Sequence, residues 1–488
     1  MRILLAVVLL CFPSIPTSAD DLGDEARVAL KRATRFLQSI ATEGGYLWRY
    51  SLDLKTRAGE KAATDTQIWI QPPGTPSIGT VFLEAYAVTG ERDYLEAARR
   101  AAHALAVGQL ESGGWDYLID FDPDQAMRWY RRSDVGNLSE RDLARRKNIS
   151  TYDDNNTQSA LSFLMDFVVA DGADETVRTA LDYGLQKLLE AQYPNGAWPQ
   201  RYGGKPADAD GHPVLAASLP EAYPRRYEKK SYLAHYTLND NAQRDVMAVM
   251  LKAWHQFGDA RFREAARRGG EFLLLAQLPE PQPVWAQQYN AGMEPAWARV
   301  FEPAAVCGGE SVGALQMLLD LYVEFGDERY LEPIPRALAW YERSEVRPGV
   351  WNRYYELHTN RPIFGDRDGE IHYTLAEISE ERRNGYGWQG EYGLPRFKRN
   401  YAKVMDQGRE KVIAARRPRE LSGKEKAGRM KSLSGRVRTV IAAQDAKGRW
   451  VEKGRSKKDR SFGSADRVET RTYIANAREL IAYLELDR

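Results

Sequence analysis

The chain has 488 residues, 43% hydrophobic and 28% charged, which suits a large globular fold and excludes a disordered chain. A formal charge of +1 gives no overall pull toward nucleic acid, and six His and two Cys form no zinc pattern.

In chain order, "MRILLAVVLLCFPSIPTSADD" reads first as a secretory signal. Arg2 is its positive end, residues 3–12 its apolar run, and Thr17, Ser18 and Ala19 its small-residue cleavage site. The run is too short to hold the chain in a bilayer. Residues 1–19 are therefore read as signal and 20–488 as one exported domain, secreted or periplasmic, with no membrane association. Cys307 is then its sole cysteine, so no intrachain disulfide can form.

Apolar residues at helical spacing predict helices over 24–41, 76–89, 93–108, 156–170, 174–191, 240–257, 260–276, 310–325 and 328–343. Weaker patterns lie over 398–414, 430–443 and 466–486. Two repeated marks punctuate them. "QLESGGW" at Gln109, "QYPNGAW" at Gln192 and "QDAKGRW" at Gln444 share Q-x-x-x-G-x-W, and "EVRPGVW" at Glu345 is a near copy. "TGERDYLEAA", "FGDARFREAA" and "FGDERYLEPI" share Gly, an acid, and an aromatic. Gly90 to Gln109, Gly258 to Gln277 and Gly326 to Glu345 are each separated by 19 residues. That interval is one helix of about five turns. The unit is a helix, a tight glycine turn, an antiparallel helix, then a long loop. The predicted fold is all-α: an α/α toroid of repeated antiparallel hairpins, with every long loop on one rim. An open helical solenoid for protein binding is the alternative.

Long loops feed the first helix of each hairpin, so those helix starts gather at the loop rim, where function concentrates. Two of them are rich in Asp and Asn: "TYDDNNT" and "YTLNDNAQ". One such residue suffices for a cap, so Asp153, Asp154, Asn155, Asp240 and Asn241 are in excess. Carboxylates placed this way serve as an acid/base pair of a glycoside hydrolase or as oxygen ligands of Ca²⁺; plain capping is the third reading. Arg299, Arg361, Arg367, Arg382 and Arg383 follow, and guanidinium groups match carboxylates in two-point fashion. Calcium ligands beside arginines suit an acidic sugar chain. From residue 416 to 460 there are sixteen Lys or Arg against five Asp or Glu. This basic stretch falls in the last hairpin and closing helix, 413–488, and reads as a solvated face or as an attractor for a polyanion.

"STYDDNNTQSALSFL", "NGAWPQRY", "YTLNDNAQ", "EPAWAR", "GGESVG", "TNRPIFGDRDG" and "ISEERRNGYGW" occur in that order. Over about Gln38 to Trp388 the chain thereby resembles the pectate lyases of polysaccharide lyase family ten, the pectic acid lyase domain. The resemblance implies an α/α toroid and a calcium-dependent β-elimination of polygalacturonate. It implies Asp153, Asp154 and Asp240 as metal ligands, Arg299 as the residue that abstracts the C5 proton, and arginines of "DRDG" and "EERR" as holders of substrate carboxylates. Asn155, Asn241, Arg361, Arg367, Arg382, Arg383 and Trp198 are assigned as substrate contacts. Trp297 stands where family members often carry Lys, and residues 123–148 and 203–227 are longer than usual. Neighbouring cations and burial are expected to favour a neutral Arg299. The expected partner is polygalacturonate or a related acidic polysaccharide, the expected state a monomer. A glycoside hydrolase or a carbohydrate-binding toroid is the competing function.

Overall fold

The computed structural model describes residues 19–208, 210–417, 419–454 and 462–488. The predicted signal, apart from Ala19, lies outside these. Sixteen α-helices are present among the described residues. They are α1 (Ala19–Ile40), α2 (Thr75–Thr89), α3 (Arg92–Gly108), α4 (Pro123–Ala126), α5 (Glu140–Leu143), α6 (Asn156–Ala170), α7 (Glu175–Glu190) and α8 (Ala242–Phe257). Then follow α9 (Ala260–Ala276), α10 (Glu310–Phe325), α11 (Pro333–Arg343), α12 (Glu380–Gly385), α13 (Leu394–Gln407), α14 (Arg409–Arg416), α15 (Gly423–Ala442) and α16 (Thr470–Asp487). None is long and apolar enough to cross a membrane.

Hairpins form where expected. Gly90, Gly258 and Gly326 sit at φ 71°, 74° and 74°, and each N–H returns to the carbonyl four residues earlier, on Tyr86, Trp254 and Tyr322. Only glycine takes this left-handed cap without penalty. Asp259 and Asp327 then accept from the N–H groups of Arg261 and Arg329 and start the returning helix.

The Q-x-x-x-G-x-W repeat has a physical basis. The Gln amide donates to the Gly carbonyl of its own loop and to a carbonyl of the next outer helix. Gln109 reaches Gly113 and Ala180, Gln192 reaches Gly196 and Ala265, and Gln444 reaches Gly448 and Ala29. The Trp indole closes the helix just ended: Trp115 donates to Leu105 O, Trp198 to Leu188 O, Trp351 to Tyr341 O and Trp450 to Val440 O. The same Trp presents its backbone to the first turn of the next inner helix, with Thr157 bonding Trp115, Gln243 bonding Trp198 and Ser311 bonding Trp285. Each motif thus locks one hairpin to its successor while satisfying polar groups that would otherwise be buried alone.

These links close an all-α toroid. Gln444, after α15, grips Ala29 in α1, and α16 packs against both α1 and α2, so the two ends of the chain meet. The inner helices α16, α2, α6, α8 and α10 follow one another around the ring, and α13 and α14 pack on α10. A five-stranded sheet in order Val451–Glu452, Arg467–Glu469, Arg49–Ser51, Arg57–Ala58, Ala62–Ala63 stitches the last rim loop to the first. A four-stranded sheet, Val306–Cys307, Tyr354–Tyr355, Pro362–Gly365 and Ile371–His372, stiffens the rim after α9. The apolar core lies between the inner and outer helices and includes Trp115, Trp198, Trp285 and Trp340, all at most 1% exposed.

Candidate active site

Two rim segments have the same build. Ser150–Thr151 and Tyr236–Thr237 are short strands, followed by single 3₁₀ turns over Asp153–Asn155 and Asn239–Asn241, and then by α6 and α8. In each turn two successive residues have positive φ: Asp154 at 52° and Asn155 at 55°, Asp240 at 47° and Asn241 at 60°. Asp and Asn tolerate this region better than other side-chain-bearing residues. Neither Asn155 nor Asn241, the residues at the helix caps, makes a side-chain capping bond. The capping reading therefore fails here. The double left-handed turn aims the acids away from the helix axis and toward each other.

Oxygens of Asp153, Asp154 and Asp240 lie within 4.8 Å of one another. Asn239 joins the two turns, donating to Asp153 Oδ1 at 3.1 Å and to Asp240 Oδ2 at 2.6 Å. The Tyr117 hydroxyl donates to Asp154 Oδ2 at 3.0 Å and approaches Asp153 Oδ2 at 3.4 Å. Burial, then the charges of Asp153 and Asp240, push the Asp154 carboxyl up to about 7. Burial and Asp240 also raise Asp153, against hydrogen bonds from Asn239 and Gln200 and the charge of Arg299. Three crowded carboxylates of this kind fit a hard, oxygen-seeking divalent cation.

The charge of Arg299 acts on this group, offsetting a small part of the rise in the Asp153 carboxyl. Its Nε donates to Glu302 Oε2 at 2.8 Å and its Nη2 to Glu302 Oε1. Glu302 is 2% exposed and also accepts from the Tyr386 hydroxyl at 2.8 Å. The expectation of a neutral Arg299 is corrected by this pair. Burial does act to lower the guanidinium, but the bonds and charge of Glu302 outweigh it and hold Arg299 well above its ordinary range.

The arginines divide. Arg299, Arg367 and Arg382 surround the Phe301 ring, at 5.0, 5.1 and 4.4 Å from its centroid. Arg382 is buried and Arg367 exposed, and Glu381 pairs with both. Arg361 lies on a different patch, 4.0 Å over Tyr373, whose hydroxyl bonds Glu356 beside Arg225. Arg383, exposed, donates through Nε and Nη2 to the backbone carbonyls of Leu375, Ala376 and Ile378. The assignment of Trp198 to substrate is corrected: it is 1% exposed and anchored to Leu188 O within the hairpin core. Asn155 lines a cavity of about 520 Å³ inside the ring, and Asn241 lines a cleft between α10 and α13. Gly313 lets Asn241 approach α10, where a Cβ would come within 2.3 Å of its Oδ1.

Five participants were not singled out from the sequence. Asn239, Tyr117, Glu302 and Tyr386 hold the acids and Arg299 in place. Arg353 is half-buried, donates to Glu310 Oε1 at 2.6 Å and lies 4.7 Å over Tyr386. Its partner Glu310 opens α10, the third helix start at this rim, and burial pushes that carboxyl up to about 7. Asn239 and Tyr386 lie inside the quoted motifs "YTLNDNAQ" and "ISEERRNGYGW", and Glu302 follows "EPAWAR" by three residues, which was the available signal. Trp297 is held by the long 203–227 loop, its indole donating to Pro224 O at 2.8 Å.

The model of the pectic acid lyase family matches residues 124–350 and 345–395. Among solved structures, the chain is similar to a family 10 polysaccharide lyase from Cellvibrio cellulosa, at 23% identity over 67% of this chain and 96% of that one, with a TM-score of 0.45. A mutant of a family 10 lyase from the same organism, in complex with trigalacturonic acid, gives 22% identity over 67% and 98%, also at 0.45. A cellobiose 2-epimerase from Bacillus thermoamylovorans is similar at 14% identity over 95% and 98%, again at 0.45. No curated protein matches the chain in sequence. The family match extends over more than half of the chain and takes in every carboxylate and arginine assigned to the site, and the chain belongs to the pectic acid lyase family.

Proposed function

We propose that this protein cleaves polygalacturonate by calcium-dependent β-elimination at the Asp153–Asp240–Arg299 mouth. The supporting observation is the meeting of three carboxylates within 4.8 Å, with the charge of Arg299 acting on Asp153. Membership of the pectic acid lyase family supports a pectate-like polysaccharide as substrate.

Asp153, Asp154 and Asp240 are the residues that hold calcium in this reading. Bound there, calcium withdraws charge from a uronate carboxylate and acidifies the proton on the adjoining C5. The protein's own groups do the rest. Asn239 and Tyr117 fix the carboxylate orientations, so that the ligand set is formed in advance. Arg367, exposed beside Phe301, meets a neighbouring substrate carboxylate. A guanidine nitrogen of Arg299 takes the C5 proton. The C5–H electron pair becomes the C4–C5 double bond, the C4–O bond breaks, and the leaving oxygen is protonated from solvent. Arg299 must be neutral when it accepts the proton, and Glu302 opposes that state. Activity therefore belongs to alkaline pH.

Incubation with polygalacturonate tests this reading. A lyase produces the ultraviolet-absorbing unsaturated end, and EGTA stops it. Reducing ends without that chromophore would mark a hydrolase, and neither product would mark a binding protein.

A further inference from the structure

A cleft of about 680 Å³ opens between α10 and α13. Asp240 and Arg353 line its upper end, Lys403 and Arg416 its foot. Along α10 the lining runs from Glu310 to Asp320, about 15 Å of helix. The cleft thus begins at a member of the carboxylate cluster and continues away from it.

Its charge is unbalanced. Arg353 is paired with Glu310 at 2.6 Å and Arg416 with Asp320 at 3.2 Å. Arg244, Arg396 and Lys403 also line it, and none of the three has a carboxylate within ion-pair distance among the described residues. Between these cations lie amides, with Asn400 Nδ2 donating to Gln316 Oε1 at 3.0 Å, and the half-buried ring of Tyr392. Cations spaced along a narrow cleft, with amides and an aromatic ring between them, suit a linear chain of carboxylated sugars. A single small anion would need one convergent cluster, and an apolar ligand would need no such charge. The family match ends at residue 395, so the wall formed by Arg396, Asn400, Lys403 and Arg416 lies beyond it.

We propose that this cleft is a second binding channel for oligouronate, which takes the part of a longer acidic chain that extends past the sugars at Asp240. The inference rests on the lyase reading for its ligand.

The test is the double variant Arg396→Gln/Lys403→Gln of the full chain. Both side chains are exposed, and thermal melting checks that the fold is kept. Calorimetric titration in EGTA at low salt compares hexagalacturonate with trigalacturonate. The expected result is a loss of about fivefold in affinity for the hexamer, little change for the trimer, and convergence of variant and wild type at high salt. Equal weakening of both oligomers, no weakening of either, or a wild type that binds neither overturns the proposal. Wild-type chromophore formation with calcium is scored separately. If it occurs while the hexamer is unaffected, the channel fails and the lyase stands. If it is absent while the hexamer preference is lost in the variant, the channel stands and the lyase fails.

Discussion

The Arg299 guanidinium rests on Glu302 through two nitrogens, and Glu302 is almost completely buried beneath it. The pair decides the protonation state of the proposed base. Replacing Glu302 by Gln keeps the shape and a hydrogen-bond partner for Tyr386 but removes the negative charge that stabilises the cation. The alkaline rise in kcat/KM should move to lower pH in Glu302→Gln. A pH–rate profile that keeps its position would assign Arg299 the role of a permanent cation and remove it as base.

The crowded carboxylates give a second pH effect. Asp154 is pushed up to about 7 in the folded metal-free chain, above about 3.9 for an unfolded Asp. Between those values the folded state holds more protons than the unfolded one, so stability declines as pH rises across that window. In EGTA the melting temperature should fall from pH 5 to pH 8. Calcium should raise it most at pH 8, because the carboxylates are then ionised and need a counter-charge. Equal melting curves with and without calcium at pH 8 would remove Asp153, Asp154 and Asp240 as a metal site.

Much of this was legible in the sequence because it repeats. The hairpin ends are set by Gly90, Gly258 and Gly326, and helix spacing placed α2, α3, α6, α7, α9 and α10 within a residue or two. Asp153, Asp154 and Asp240 stood out because runs of four and three Asx residues exceed what a helix cap requires. The rim sheets were invisible because strands such as Ser150–Thr151 are too short to show alternation. Glu302 and Tyr386 lie far apart in the chain and meet only in the fold. Trp198 was misassigned because a motif shows that a side chain is needed, and burial alone tells whether a ligand or a carbonyl needs it.

Asn239 hydrogen-bonds both aspartate turns, and it is 3% exposed. Asn239→Ala removes a donor from Asp153 and another from Asp240, freeing both carboxylates to swing apart. Calcium affinity should drop by roughly 10- to 100-fold, the usual cost of losing such a supporting group. Activity should return at high calcium if the loss is one of ligand orientation. A calcium titration midpoint unchanged from wild type would show that the turns hold themselves.

Trp198 separates core from groove. Its indole N–H satisfies Leu188 O at 2.9 Å, and its ring lies against Gly269, where an added Cβ would come within 2.9 Å of it. Trp198→Phe deletes the donor and leaves a buried carbonyl short of a partner, a cost of about 1–3 kcal/mol. The variant should melt at lower temperature and keep the wild-type KM for polygalacturonate. A sugar-stacking tryptophan would do the reverse, raising KM with little change in melting. Measuring both quantities on one preparation decides between them, because the hairpin lock and the substrate surface make opposite demands on the same ring.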